Sequence, residues 1–309
     1  MIHPFDRLMH YLQFALEKQN GMCYNKGKLQ LQKGDVNMKS TNSIRLMTSN
    51  VLGNWRDGFI ENRDDVMAGI YLDLCPDVIA LQEFSARYRG EEKDLLSLVA
   101  PKYEEIITPV LNRSHNNSTP LLYNTNRVRV LDRGYYFFAD GICDNSKSLS
   151  WAAFETIDGG KRFVYASTHF IHTSEDGRVI DGQQAKLVCD GLADFYGCPV
   201  MIGGDFNSNR TSRSYANLIS LGFIDLYEKA PNPPTVKSYH PYPVLDEATH
   251  LYVPNPAPIV GDFNNSIDHI FYYGTPERMP TVERFDVLTD VRSQIASDHC
   301  PVFVDLVLQ

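Results

Sequence analysis

The sequence predicts a layered α/β sandwich. Short apolar runs rich in β-branched and aromatic residues recur from Ser43 to the C-terminus, at strand length and with turn residues between them. Helical periodicity is confined to a few stretches, too few for strict strand–helix alternation. Six of the apolar runs also carry an Asn, a carboxylate or a His at one end, as strands converging on a common edge would.

The elements follow in order. Phe5, Met9, Leu12 and Leu16 recur at helical spacing and predict a helix over 4–19. A polar, aperiodic, Gly-containing linker follows. The runs "IRLMTSNVL", "DVIALQEF", "TPLLYNT", "YYFFAD", "WAAFETI", "RFVYASTHF", "PVMIGGDF", "IDHIFYY" and "CPVFVDLVL" read as strands, and "RVRVLDR" alternates like a strand with one wet face. "ENRDDVMAGIYLDL" opens with residues able to cap a helix. "DGQQAKLVCDGLADFY" sets Ala185, Val188 and Leu192 on one helical face, and "TSRSYANLISLG" starts with hydroxyls and stops at Gly. The stretch from Lys229 to Gly261 holds eight prolines together with Tyr239, His240, Tyr242 and Tyr252. Its aromatic content predicts a long surface loop packed near a site rather than a flexible linker.

Bulk properties narrow the function classes. The 309 residues are 43% hydrophobic and 22% charged, which argues against disorder. A net charge of −9 without a basic stripe disfavours a tight, non-specific duplex binder. The six cysteines form no CxxC and sit largely in apolar runs, so they read as reduced thiols. No run reaches the roughly 20 apolar residues of a membrane helix. A cytoplasmic protein, monomeric by default, is the expectation.

Chemistry concentrates at the strand ends: Asn50, Glu83, His169, Asp205 with Asn207, Asp268, and Asp298 with His299. Any one of these is an ordinary turn or structural residue; the set is not. Asn50, Glu83 and Asp298 are hard oxygen donors without a nearby Cys, which suits Mg²⁺ or Mn²⁺. Asp268 can hold His299 and favour its charged form. Asp205 and Asn207 can orient a water and donate to a phosphate, and His169 can bind phosphate or exchange protons. The sequence GDFN occurs twice, at 204–207 and 261–264. The first copy follows an apolar strand; Asp262 and Asn264 of the second read as turn residues.

"TSNVLG", "PDVIALQE", "STHF", "GGDFNS", "IDHIF" and "SDHCPVFVDL" occur in the order found in the endonuclease/exonuclease/phosphatase superfamily, which the chain resembles from Ile44 onward. The resemblance implies the DNase I-like fold: a four-layer sandwich of two packed, mostly antiparallel sheets flanked by helices, with the site at one end. It divides the chain into residues 1–42, an N-terminal helix and linker, and 43–309, a catalytic domain. It implies that Asn50, Glu83 and Asp298 belong to the metal site, and that His169, Asp205, Asn207, Asp268 and His299 are catalytic.

His169 disfavours the apurinic-site endonuclease branch, and "SIDHIF" disfavours the inositol polyphosphate phosphatases. "SYHPYP" resembles an aromatic-His loop of small bacterial members, placing Tyr239 and His240 at the substrate entrance; Gln184 also matches a substrate-side position. Asp181 stands where deadenylase-like members carry Arg, and Thr119 where they carry Asn. The expected activity is therefore Mg²⁺-dependent hydrolysis of a phosphoester, more readily a diester, on a small molecule or lipid headgroup. A nuclease acting on single strands, with Tyr239 and Tyr242 stacking on bases, is one alternative. A binding module that retained the fold without turnover is another.

Overall fold

The structure is a computed structural model that describes residues 41–53, 63–84, 94–106, 118–138 and 147–309. The helix expected over 4–19 and the linker up to residue 40 lie outside these.

Among the described residues the first sheet contains β1 (Ser43–Asn50), β2 (Val78–Gln82), β3 (Tyr103–Glu105) and β4 (Leu121–Asn124). The second contains β5 (Val128–Phe137), β6 (Ser148–Thr156), β7 (Arg162–His169), β8 (Val200–Asp205) and β9 (Ile224–Asp225). Then come a small hairpin of β10 (Val244–Asp246) and β11 (Leu251–Val253), β12 (Asp268–Tyr273) of the second sheet, and β13 (Thr281–Val287) and β14 (Val302–Val307) of the first. The strand orders are β13-β14-β1-β2-β4-β3 and β5-β6-β7-β8-β12-β9. Each sheet has one parallel pair, β1 with β2 and β7 with β8, and is otherwise antiparallel. The predicted mostly antiparallel, two-sheet α/β architecture is the one observed.

Strand periodicity explains where the core lies and where the site must be. Side chains alternate faces along a strand. Ile44 and Leu46 of β1, Val78 and Ala80 of β2, Phe163 and Tyr165 of β7, Met201 of β8, and Ile270 and Tyr272 of β12 all enter the one buried cluster between the sheets. Continuing the same alternation puts Asn50, Gln82, His169, Asp205 and Asp268 on those inner faces, at strand ends. Register brings the ends together: Asn50 pairs with Gln82, and Asp205 lies between His169 and Asp268.

The inner faces turn polar before they reach that edge. Thr48 Oγ1 donates to Gln82 Oε1 at 3.1 Å, and Gln82 Nε2 donates across to Ser167 Oγ at 3.1 Å. Tyr165 OH donates to Met47 O at 2.9 Å, tying the sheets. Gly203 is required here, because a Cβ would meet Tyr165 Oη at 2.1 Å.

The outer faces are covered by helices. Val164, Ala166, Val200 and Ile202 of the second sheet pack against Ala185, Cys189 and Leu192 of the helix Glu175–Tyr196. That helix starts upstream of the expected Asp181: Ser174 caps it by accepting from Gly177 N, Glu175 and Asp176 fill its first turn, and Gly197 closes it at φ 61°. Over the first sheet, helix Arg63–Leu74 places Tyr71 OH 2.9 Å from Ser49 Oγ. The helix Arg213–Ser220 is capped by Ser212, as its hydroxyl-rich start suggests. Two short helices, Leu95–Val99 and Val291–Ala296, and strands β3, β9 and β13 were not anticipated. In β13 a register shift between Val282 and Arg284 breaks the two-residue apolar alternation, which conceals the strand in the sequence.

Candidate active site

Asp205 is the hub of the polar edge. Its Oδ2 accepts from Asn50 Nδ2 at 3.1 Å, and its Oδ1 accepts from the backbone N–H of Asn207 at 2.8 Å. The same Asn50 amide donates to Glu83 Oε1 at 3.1 Å, and Glu83 Oε2 accepts from Gly53 N at 2.8 Å. Glu83 and Asn207 hold φ values of 59° and 48°, and Leu52 one of 54°. Non-glycine residues are uncommon in this left-handed region and concentrate at functional sites. Asn207 is tethered in turn by Nδ2 to Phe170 O at 2.9 Å.

Asp268 and His299 form the second half. His299 Nδ1 lies 2.8 Å from Asp268 Oδ2, and its Nε2 reaches 3.9 Å from Asp205 Oδ2. Burial alone would lower the imidazole pKa; the carboxylates of Asp268, Asp298 and Asp205 reverse this and raise it well above the ordinary value. The histidine at the other side behaves oppositely. His169 Nε2 sits 2.8 Å from Lys147 Nζ and 3.4 Å from Asp205 Oδ2. Burial, then the positive charges of Lys147 and His299, push its pKa well down. The neutral ring accepts from the lysine ammonium, so the 3.4 Å approach to Asp205 is not an ion pair. Burial raises the Asp205 carboxyl, with His299 opposing the shift and Asp268 adding to it. Burial likewise raises Asp298, which also feels Glu83.

Ligand atoms of Glu83, His169 and Asp205 lie within 4.8 Å of one another, as do those of Asp205, Asp268 and His299. Asp298 is joined to Asn50 through Ser297, whose Oγ donates to Asn50 O at 2.7 Å and lies 3.4 Å from Asp298 Oδ1. The carboxylate oxygens of Glu83 and Asp205, without thiolate, suit a hard cation such as Mg²⁺ or Mn²⁺. Asn50 turns Nδ2 toward both carboxylates while its Oδ1 accepts from Leu52 N at 3.0 Å, which leaves that oxygen one lone pair to offer a cation.

Other residues complete the geometry. Arg63 is buried, donating from Nε to Ala296 O at 2.7 Å and from its terminal nitrogen to Val51 O and Leu52 O, so it clamps the turn after Asn50 to the segment before Asp298. The Pro-rich loop does pack at the site. Tyr239 forms a β-bridge with His299, and His240 donates its backbone N–H to Asp298 O at 2.8 Å. His240 is itself buried, which lowers its pKa, and its Nδ1 lies 2.8 Å from Pro241 O. Lys237 Nζ stands 4.0 Å over the Tyr239 ring. Gln184, on the helix Glu175–Tyr196, accepts through Oε1 from Tyr136 OH at 3.1 Å. Arg63 and Lys147 lie in no motif that singles them out in the sequence; Ser238 and Ser297 open the SYHPYP and SDHCPVFVDL motifs, yet as small hydroxyl residues nothing in those motifs marks them for a role.

The two GDFN copies differ as expected. Asp262 caps the short 3₁₀ turn Phe263–Asn265, and Asn264 accepts from Arg210 through both its backbone and side-chain oxygens. The second copy is a turn that grips the residues following the first.

The two six-stranded sheets, with carboxylates, amides and histidines gathered at one end, define a layered α/β sandwich with a polar site at its edge. A model of the Endonuclease/Exonuclease/phosphatase family matches residues 47–299, and the chain belongs to that family. Its members are phosphoester hydrolases. No curated protein matches the chain. Among solved structures, an endonuclease/exonuclease/phosphatase family protein from Bacteroides thetaiotaomicron is similar at TM-score 0.70 and 22% identity, over 86% of this chain and 95% of that one. The mannosyl-6-phosphatase of the same organism is similar at TM-score 0.67 and 22% identity, over 86% and 100%. The human Nocturnin catalytic domain with bound sulfate gives 0.61 and 20%, over 87% and 95%. At these identities the likeness establishes the shared fold. Among the described residues no helix is long and apolar enough to cross a membrane.

Proposed function

We propose that the protein is a Mg²⁺- or Mn²⁺-dependent phosphoester hydrolase acting on a phosphodiester of a small molecule or lipid headgroup, with residues 43–309 as its catalytic domain. The observation that carries this reading is the placement of Asp205 between two differently poised histidines, with His299 Nε2 at 3.9 Å and His169 Nε2 at 3.4 Å. Asp205 orients the attacking water and accepts its proton, a role favoured by its raised basicity. His299, kept charged by Asp268, donates from Nε2 to the phosphoryl group and is the histidine with a proton to give. His169 is neutral, and its partner Lys147 brings the positive charge to that side. Asn207, tethered at Phe170 by one Nδ2 hydrogen, contributes the other to a phosphoryl oxygen.

Asn50, Glu83 and Asp298 would hold the cation, which when bound polarises a phosphoryl oxygen and offsets charge on the leaving oxygen. The net charge of −9 without a basic stripe favours the small diester over a single strand. Parallel assays on bis-p-nitrophenyl phosphate and a fluorescent single-stranded oligonucleotide, each with EDTA controls, test the reading. Diester cleavage with an intact oligonucleotide is expected; cleavage of the oligonucleotide alone would replace the reading with a nuclease, and silence on both with a binding module.

A further inference from the structure

We infer that Ser238 is a positioning residue for the Asp268–His299 pair: its hydroxyl fixes Asp268 in the rotamer from which His299 is aimed at Asp205. The inference rests on the hydrolytic reading of that site.

Ser238 is fully buried in the Pro-rich loop. Its Oγ receives the backbone N–H of Asp268 at 3.2 Å, with that of Ile267 at 3.4 Å. A serine hydroxyl has one hydrogen to give. With its lone pairs facing these donors, that hydrogen goes to Asp268 Oδ2, 2.6 Å away. The same Oδ2 takes the Nδ1–H of His299 at 2.8 Å, while Asp268 Oδ1 is buried with no partner. Two donors thus load one oxygen of a carboxylate whose other oxygen has none. Left alone, the carboxylate could rotate about its terminal torsion, which is broad and roughly two-fold. The serine hydroxyl removes that freedom.

The serine itself cannot drift. Cys300 N donates to Ser238 O at 2.6 Å, and Ser238 N donates to Ser266 Oγ at 3.0 Å. His240 N, two residues on, donates to Asp298 O at 2.8 Å. One residue therefore joins the loop, the start of β12 and the segment bearing His299. Outer hydrogen bonds of this kind orient an imidazole and its carboxylate as a unit.

Four measurements test the assignment together. Ser238→Ala should lower kcat by about 10- to 100-fold, as loss of an orienting partner does, with KM changed less than about twofold. Ser238→Thr, which keeps the hydroxyl, should restore most of the loss. Added to Asp268→Ala, Ser238→Ala should cost nothing further, because it acts only through Asp268. Independently of turnover, the low-field Nδ1–H proton resonance of His299 should shift or broaden in Ser238→Ala. An unchanged resonance with unchanged kcat, or full additivity with Asp268→Ala, would overturn the inference. A resonance that responds in a protein without diesterase activity would uphold the positioning role and reject the hydrolytic reading instead.

Discussion

Single residues carry the electrostatic asymmetry of the site. His299 and His169 flank Asp205, yet one is driven toward the cation and the other toward the neutral ring. Their side chains are chemically identical; the difference comes from Asp268 on one and Lys147 on the other. The sequence made His299, Asp268, Asp205 and Glu83 legible because each flanks an apolar run, Asp205 and Glu83 after one and Asp268 and His299 before one. It hid Lys147 and Ser238, because their importance depends on which distant segments meet. Ser238 and Asp268 are separated by 30 residues, and Lys147 and His169 by 22. A different residue offers a test of burial away from the site. Asp64 opens the helix Arg63–Leu74 with Oδ1 buried and unpartnered, and burial raises its pKa from 3.8 to about 7, against the lowering by Arg63. A carboxyl whose folded pKa exceeds its unfolded value contributes stability below the unfolded value and loses it as pH rises through the folded one. Asp64→Asn should therefore gain Tm relative to the wild type between pH 5 and pH 8. Thermal melts at the two pH values check this, and a pH-independent difference would contradict it.

Elements meet at the site through turns and loops rather than through the sheets alone. Period-two alternation delivers Asn50, His169, Asp205 and Asp268 to the inner faces, and this much of the site was readable from apolar runs. The clamp that shapes the turn after Asn50 was not readable. Arg63 lies at the start of a helix, where charged residues are ordinary; only the folded chain shows it buried against Val51 O, Leu52 O and Ala296 O. Arg63→Met should strand those buried carbonyls and cost on the order of 3 kcal/mol or more. It should also loosen the contact between Gly53 and Glu83, so activity falls along with stability. Urea unfolding with a parallel rate measurement checks both; a variant with wild-type stability would remove Arg63 from the account. The Pro-rich loop illustrates the opposite balance. Its aromatics announced a packed loop, but the hairpin of β10 and β11 has strands of only three residues each, too short for their alternation to register in the sequence.

At the scale of the whole molecule, the pair of sheets makes the site a property of the fold. Asn50 and Asp298 come with the first sheet, His169, Asp205 and Asp268 with the second, and the polar layer of Thr48, Gln82 and Ser167 joins them. The order of the motifs therefore conveyed the architecture better than any element boundary did, because each motif marks a strand end that the two sheets bring to a common edge. Every proposed site residue falls between Asn50 and His299, so deletion of residues 1–37 should leave kcat/KM within about twofold. A truncated protein that folds but has lost turnover would show that the leader belongs to the site.

The central claim is that this edge hydrolyses phosphoesters through His299 and a hard cation. It is tested most directly by the initial rate of bis-p-nitrophenyl phosphate hydrolysis with Mg²⁺, with EDTA, and in His299→Ala and Glu83→Ala variants whose melting temperatures are measured alongside. The rate should be abolished by EDTA and restored by Mg²⁺ or Mn²⁺. Each variant should lose about 100-fold or more of the rate while remaining folded. A folded His299→Ala or Glu83→Ala protein that hydrolyses the diester at the wild-type rate would contradict it.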